Sequence, residues 1–402
     1  MTATATPPAS VDLHAPVVAG VLAALVGFTA TFAIILQGLA AVGADASTAA
    51  GALLVLCLVQ GALAVGLGLR SRKPITMAWS TPGAALLIGA GTQGADFGIA
   101  VAAFALTAVL IVATGLARPL GRAVAAIPMP LANAMLAGIL AGICLAPAQA
   151  VVRFPLQAIP PILAWLVALR LARRYAVVIA LAMLVAVLCL VPPVTGAAAP
   201  ASLPVLTWPH LVMPHWNTAA VLGLAVPLYL VTMASQNLPG LAVMRANGYE
   251  IDPGRSFVAT GLGSVVTALF GGIPVNLAAL TAALCAGPEA GADASRRWIA
   301  SVVSGVVYIA LGLGAGLAAR LLLVAPPLLI EAIAGLALLP ALAAALTGAM
   351  AEEASRLPAL VTLLVVLSGI TVAGIGAPLW GLLAGGAVMV VLSAGTRTRT
   401  AR

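Results

Sequence analysis

Three short polar strings interrupt a sequence that is otherwise a run of small and aliphatic residues. Trp79-Ser80-Thr81 stands immediately before Pro82-Gly83, Ser235-Gln236-Asn237 is closed by Pro239, and Asn276 follows Gly271-Gly272-Ile273-Pro274. Hydroxyls, carboxamides and an indole donate and accept hydrogen bonds, and a hydroxyl without an adjacent base is no nucleophile, so the chemistry on offer is binding. Each string is tied to a helix breaker. A helix running through Pro82 loses a backbone hydrogen bond and clashes with the preceding turn. Ser80 or Thr81 is therefore expected as an N-cap, with Pro82 at the first helical position. The plan recurs at Pro274, with Asn276 ahead of a short helix to Cys285. Two half-helices starting inside an apolar layer aim free N–H groups and positive dipole ends at one spot, which suits a carboxylate or another anion. The plainer reading is that these prolines only kink continuous spans, which membrane helices tolerate.

The candidate binding residues are thus Trp79, Ser80, Thr81, Gln236, Asn237 and Asn276, with Gln37 and Gln60 as weaker ones that could simply bond neighbouring backbone. Glu331, just after Pro326-Pro327, is the one carboxylate placed within an expected span. It is a candidate proton-coupling residue, or else an acid stabilising a helix N-terminus. His14, His210 and His215 fall in a tail or the central loop, which leaves no histidine relay through the membrane. An enzyme is not expected, because the sequence holds no His-Glu-x-x-His, Gly-x-Ser-x-Gly or Gly-x-x-x-x-Gly-Lys string and no second buried acid beside Glu331. Cys57, Cys144, Cys189 and Cys285 are solitary and read as packing residues rather than metal ligands. No cofactor or metal is implied.

The elements that must position these strings are membrane spans. Of 402 residues, 63% are hydrophobic and 7% charged, and the apolar residues come in blocks of a length suited to a hydrocarbon core about 30 Å thick. Scarce aromatics and 41 glycines favour close-packed helices over a lipid-facing β-barrel. The reading is an all-α polytopic membrane protein of fourteen segments. The first seven lie near 16–39, 47–69, 74–90, 97–117, 127–148, 157–171 and 176–195. The second seven lie near 218–239, 256–271, 273–287, 298–318, 326–346, 358–374 and 377–394. Residues 1–15 and 395–402 are tails, and 196–217 form a connecting loop. No cleavable signal peptide is evident at the start. Threaded from a cytoplasmic N-terminus, this map puts every Lys and Arg inside except Arg153 and Arg320, as the positive-inside rule requires. Both termini are then cytoplasmic and 196–217 periplasmic. The net charge of +8 is spread over short loops with no contiguous patch, which argues against a nucleic-acid partner.

Landmarks recur. Gly38-Leu39-Ala40 is echoed by Gly240-Leu241-Ala242, Pro74-Ile75-Thr76 by Pro274-Val275-Asn276, and Pro130 with Ala137-Gly138 by Pro327 with Ala334-Gly335, at spacings of 202, 200 and 197. Their common order indicates two seven-segment repeats, 16–195 and 218–394, although chance similarity among Ala/Gly/Leu tracts is the rival explanation. Seven is odd, so the repeats must be inverted, with broken third and tenth segments. Broken helices also build channel filters, so a channel stays open as the alternative to a carrier.

The strings that carry these features also resemble a known family. Pro74 to Leu87, Val231 to Val243 with Arg245-Ala246-Asn247-Gly248-Tyr249, and Val275 to Glu289 followed by Arg296-Arg297-Trp298 are similar to the benzoate/proton symporter (BenE-type) family of bacterial inner membranes. The resemblance covers essentially the whole chain. It implies proton-coupled uptake of benzoate or a similar aromatic carboxylate, with protons and the lipid bilayer as partners and a homodimer as the assembly. That family is similar in plan to the uracil permease and sulfate transporter groups, which implies a core domain (segments one to four and eight to eleven) and a gate domain (the rest). The substrate would lie between the third and tenth half-helices. Nucleobase permeases carry acids in the eighth and tenth segments, whereas the matching positions here are Gln236, Asn237 and Asn276, a departure that suits an anionic substrate.

Overall fold

The computed structural model describes residues 13–90, 96–191, 207–324, 326–372 and 375–399. Helices dominate. In chain order they are α1 (His14–Ala41), α2 (Ala46–Ser71), α3 (Thr81–Ala90), α4 (Phe97–Leu116), α5 (Arg118–Ala125), α6 (Met129–Cys144), α7 (Ala146–Arg153), α8 (Pro155–Leu171) and α9 (Ala176–Leu190). The second half holds α10 (Thr218–Thr232), α11 (Leu238–Ala246), α12 (Pro253–Leu269), α13 (Leu280–Ala286), α14 (Trp298–Leu313), α15 (Ala315–Val324), α16 (Pro327–Met350), α17 (Arg356–Leu367) and α18 (Ala377–Arg399). Among the described residues, seven helical stretches are long and apolar enough to cross a bilayer, and 155–171, 176–190 and 377–393 are shorter apolar helices.

Two short strands precede α3 and α13, the helices at the Pro82 and Pro274 strings. β1 (Met77–Trp79) pairs antiparallel with β2 (Val275–Leu277), with Met77 opposite Leu277, Ala78 opposite Asn276 and Trp79 opposite Val275. A second small ladder joins β3 (Thr371–Val372) to β4 (Ile375–Gly376) ahead of α18. The β1–β2 ladder is buried, so each backbone group on its outer edges needs a partner. Side chains supply several. The Ser264 hydroxyl accepts from Val275 N (2.9 Å) and donates to Val275 O (3.1 Å). Asn237 Oδ1 accepts from Leu277 N (3.0 Å). The ladder ends are closed by Ser80 N to Pro274 O and Ala278 N to Thr76 O, both 3.0 Å.

Entry into β1 follows from the end of α2. Arg72 adopts a left-handed conformation (φ 53°), its N–H bonded to Gly68 O, and its guanidinium lies 4.3 Å from the Trp298 ring centre. Around the ladder the helices pack in matching pairs. α2 lies against α14 and α12 against α4; α1 lies against α14 and α10 against α4; α6 meets α16, α8 meets α9 and α17 meets α18. Small residues permit the closest approaches. A Cβ on Gly61 would sit 2.5 Å from Gly305 O, and one on Gly305 would sit 2.6 Å from Gly61 O, so neither accepts a side chain without separating α2 from α14. Cys57 and Cys285 are buried in this packing, Cys144 is half-buried and Cys189 is exposed on α9.

Candidate functional site

The α3 N-terminus resolves the capping question. Ser80 is the cap: its hydroxyl accepts from Gly83 N (3.2 Å), its carbonyl accepts from Ala84 N (2.9 Å), and Thr81 rather than Pro82 is the first helical residue. Pro82 has no N–H. The Thr81 N–H and hydroxyl are therefore the groups at this helix end without an assigned partner among the described residues. The counterpart α13 is seven residues long and no side chain caps it, so the helix-end donors come from α3.

Sorting the predicted residues by what they touch divides them. Ser80, 0% exposed, also bonds the Thr232 hydroxyl at 2.7 Å, which fastens α3 to α10. Asn237, also 0% exposed, holds β2 through Leu277 N and places its Nδ2 3.2 Å from Met233 Sδ. Asn276 is buried at the ladder centre; with its amide oriented to satisfy both ends, Oδ1 accepts from Ser80 N (3.0 Å), which it shares with Pro274 O, and Nδ2 donates to Leu277 O (2.8 Å). Trp79 is buried too; its indole N–H donates to Thr31 Oγ1 (2.8 Å), and its ring packs against Phe28 and Tyr308 at centroid separations of 5.9 and 5.8 Å. These four residues build the crossing. Thr81 and Gln236 are half-buried and make no side-chain hydrogen bond among the described residues, and the Ser235 hydroxyl is buried without a partner.

Gln236 and Ser235 project from an unusual backbone. Residues Met233–Asn237 form a π-helical turn between α10 and α11, and such turns are frequent at functional sites. Nearly two turns earlier, Pro227 stands inside α10, where it removes a helix bond of its own. Of the weaker candidates, Gln37 Nε2 donates to Pro327 O (3.2 Å), as the plain reading held, while its Oε1 is buried without a partner. Gln60 is 1% exposed and neither of its amide atoms has a partner. Glu331 is half-buried on α16, which packs on α6 and α1.

Beside α3 lies a cavity of about 530 Å³. Its walls are α3 (Ala85, Leu86, Gly89), α4 (Ile99, Ala100), α10 (Gly223, Leu224, Pro227), α6 (Gly138, Ile139, Gly142), α17 (Val366, Leu367) and the β3–β4 region, with Asp96 at its rim. The volume is in the range of small-molecule sites and the lining is overwhelmingly apolar. No group of three or more metal-ligating side chains occurs among the described residues. The Thr81 donors stand at the start of α3, and the cavity runs against the later part of that helix, at Ala85, Leu86 and Gly89.

The profile of the family described as BenE, benzoate membrane transport protein, matches residues 11–391. The chain belongs to the BenE family. Curated relatives agree: the inner membrane protein YdcO of Escherichia coli K12 is 39% identical over 386 residues (93% of this chain, 95% of that protein), and the benzoate membrane transport protein of Acinetobacter baylyi is 33% identical over 371 residues (92% of each). This BenE chain also shares its fold with solved transporters. The transmembrane domain of a cyanobacterial bicarbonate transporter, BicA, superposes with a TM-score of 0.60 at 16% identity, covering 93% of this chain and 97% of that one. SLC26A9 gives 0.64 at 13% identity, covering 94% and 65%. The protein is a multi-pass membrane transporter and not an enzyme.

The sequence reading missed Thr232, Thr31 and Ser264, which lock the crossing together. Ser264 had a signal: Ser256, Thr260, Ser264 and Thr267 recur at helical spacing along α12, and all four are buried. Such a stripe inside an apolar span marks backbone in need of partners.

Proposed function

We propose that this protein is a secondary active transporter that takes up benzoate or a similar aromatic carboxylate with protons, by alternating access, across a bacterial inner membrane. The observation that carries the reading is the 530 Å³ apolar cavity along α3, whose lining on that helix is Ala85, Leu86 and Gly89; Thr81 opens the same helix, and Thr81 and Gln236 are half-buried without a side-chain partner among the described residues. The Thr81 N–H and hydroxyl and the Gln236 amide are the carboxylate's donors, assisted by the positive end of α3. The ring occupies the apolar side. Ser80, Asn237, Asn276 and Trp79 hold that geometry from behind, and the lack of a fixed acid at the crossing keeps it compatible with an anion.

The same reading takes the chain as fourteen segments in two inverted halves, with both termini cytoplasmic. The matched packing supports it: exchanging the halves turns α2 on α14 into α12 on α4, and α1 on α14 into α10 on α4. The β1–β2 ladder has its local two-fold at the Ala78/Asn276 pair, equating residues 198 apart (78 and 276), within the range of the sequence landmarks. Segments one to four and eight to eleven then form a core that carries the crossing, and the remaining segments form a gate that supplies α6 and α17 to the cavity wall. Glu331, on a gate helix, is the proposed proton site.

Uptake into proteoliposomes tests this. A saturable accumulation of benzoate driven by an inward proton gradient is expected; unsaturable flux indifferent to the gradient makes the protein a channel.

A further inference from the structure

Asp96 presents a problem for any anion that uses the cavity. It lines the cavity, it is the one ionisable side chain of the lining among the described residues, and a bare carboxylate there repels a carboxylate substrate. Its charge is secure. The side-chain bond from His215 and the backbone bond from Gly98 N (2.9 Å) hold its carboxyl below the usual range. His215 Nδ1 stands 2.5 Å from Asp96 Oδ2.

The histidine is held there by its own segment. Residues 207–217 run as an extended strap over one end of the helices, with Thr48 Oγ1 3.2 Å from His210 Nε2, Val212 N bonded to Leu269 O (2.9 Å) and His215 N bonded to Gly98 O (2.9 Å). A Cβ on Gly98 would lie 2.8 Å from the imidazole, so this glycine lets the ring settle against the start of α4. Among the described residues the pair makes no other salt bridge. Asp45 lies at the start of α2 beside Thr48 and His210, and the sequence of 91–95 and 192–206 contains no ionisable residue. His215 is therefore the group that decides the net charge at the rim.

We propose that Asp96 and His215 form a charge selector at the mouth of the cavity. With the imidazole protonated the pair is neutral and a carboxylate substrate passes; with the imidazole neutral the Asp96 charge stands alone and turns the anion back. Histidine is the side chain that exchanges a charge between about pH 5 and 8, across which a carboxylic acid substrate stays ionised. Admission of the anion thus weakens as external pH rises, separately from any driving force supplied by the proton gradient. The inference rests on the transport reading above and adds a specificity determinant outside the α3–π-turn crossing.

The test is benzoate exchange in proteoliposomes with equal pH on both sides from about 5.5 to 8, corrected for protein-free vesicles, with inhibition by benzamide as the uncharged comparison. One unit charge near the path predicts an increase in KM of about two- to five-fold across this range for the wild type. Benzamide inhibition should stay constant. Asp96→Asn, which keeps the shape of the cap, should give a KM that no longer depends on pH. His215→Arg should keep KM low throughout, and His215→Gln should keep it high throughout. A pH-independent wild-type KM, or an Asp96→Asn profile that still rises with pH, overturns the selector while leaving the transport reading intact. Benzamide inhibition that shifts in parallel with benzoate also overturns it, since a purely structural role for the pair affects both ligands alike. Absence of benzoate exchange at every pH removes the transport reading and the selector together.

Discussion

Asn237 and Gln236 are adjacent, chemically similar and assigned opposite jobs, so replacing each by alanine separates scaffold from binding surface. Asn237 is 0% exposed and satisfies Leu277 N at 3.0 Å. Truncation leaves that strand N–H buried and unpaired, which costs about 1–3 kcal/mol. The Nδ2 contact with Met233 Sδ at 3.2 Å is weak and adds little. The Gln236 side chain makes no hydrogen bond among the described residues; its truncation should change stability by no more than about 0.5 kcal/mol. In transport the order reverses. Gln236→Ala should raise the benzoate KM by about 10- to 150-fold, the equivalent of one lost charge-assisted bond, with the melting temperature preserved. Thermal unfolding in detergent and initial uptake rates in proteoliposomes read the two effects on the same preparations. Should Gln236→Ala unfold early while Asn237→Ala melts like the wild type, the division into committed and uncommitted residues is wrong.

Other outcomes follow from the same geometry. Ser80→Ala removes the α3 cap and strands the Thr232 hydroxyl, which should cost about 0.5–2 kcal/mol of stability, measurable by the same unfolding assay. Gly142→Leu places a side chain where no atom lies within 4 Å of the new Cβ, on the wall of the cavity. It should fold normally yet block uptake, whereas Gly66→Leu, equally unhindered but exposed on α2, should fold normally and leave uptake unchanged. Glu331→Gln should abolish concentrative, pH-driven uptake while benzoate exchange continues; unchanged accumulation at normal expression excludes Glu331 as the proton carrier. Thiol labelling in a cysteine-free background should reach a cysteine at position 205 only from the periplasmic side, and labelling only from the inside contradicts the proposed topology.

Much of the architecture was legible because bilayers impose coarse rules. The span-length apolar blocks that make this a helical membrane protein, and the breaks ahead of the short helices α3 and α13, are written in residue type through Pro82 and Pro274. The pairing of β1 with β2 was not legible. It joins residues about 200 positions apart, and three-residue strands carry no periodicity of their own. The roles within the polar strings were hidden for a related reason. Ser80, Asn237 and Asn276 look as available as Thr81 and Gln236 until the backbone groups they satisfy are placed in space. The π-turn at 233–237 likewise has no sequence signature beyond a polar cluster between Pro227 and Pro239. His215 and Asp96 are 119 residues apart in the chain; in the sequence His215 stands out only as a loop histidine, and Asp96 carries no signal.

Whether the substrate lies between α3 and the π-turn is open to chemical protection. Cysteines introduced singly at Thr81 and Gln236 in the cysteine-free protein, with Ser71→Cys as a distant exposed control, are alkylated with and without benzoate. Benzoate is predicted to slow modification at 81 and 236 in a saturable manner, at concentrations matching its KM, and to leave position 71 unaffected. Equal alkylation rates at 81 and 236 in the presence of saturating benzoate, in variants that still transport it, contradict this placement of the site.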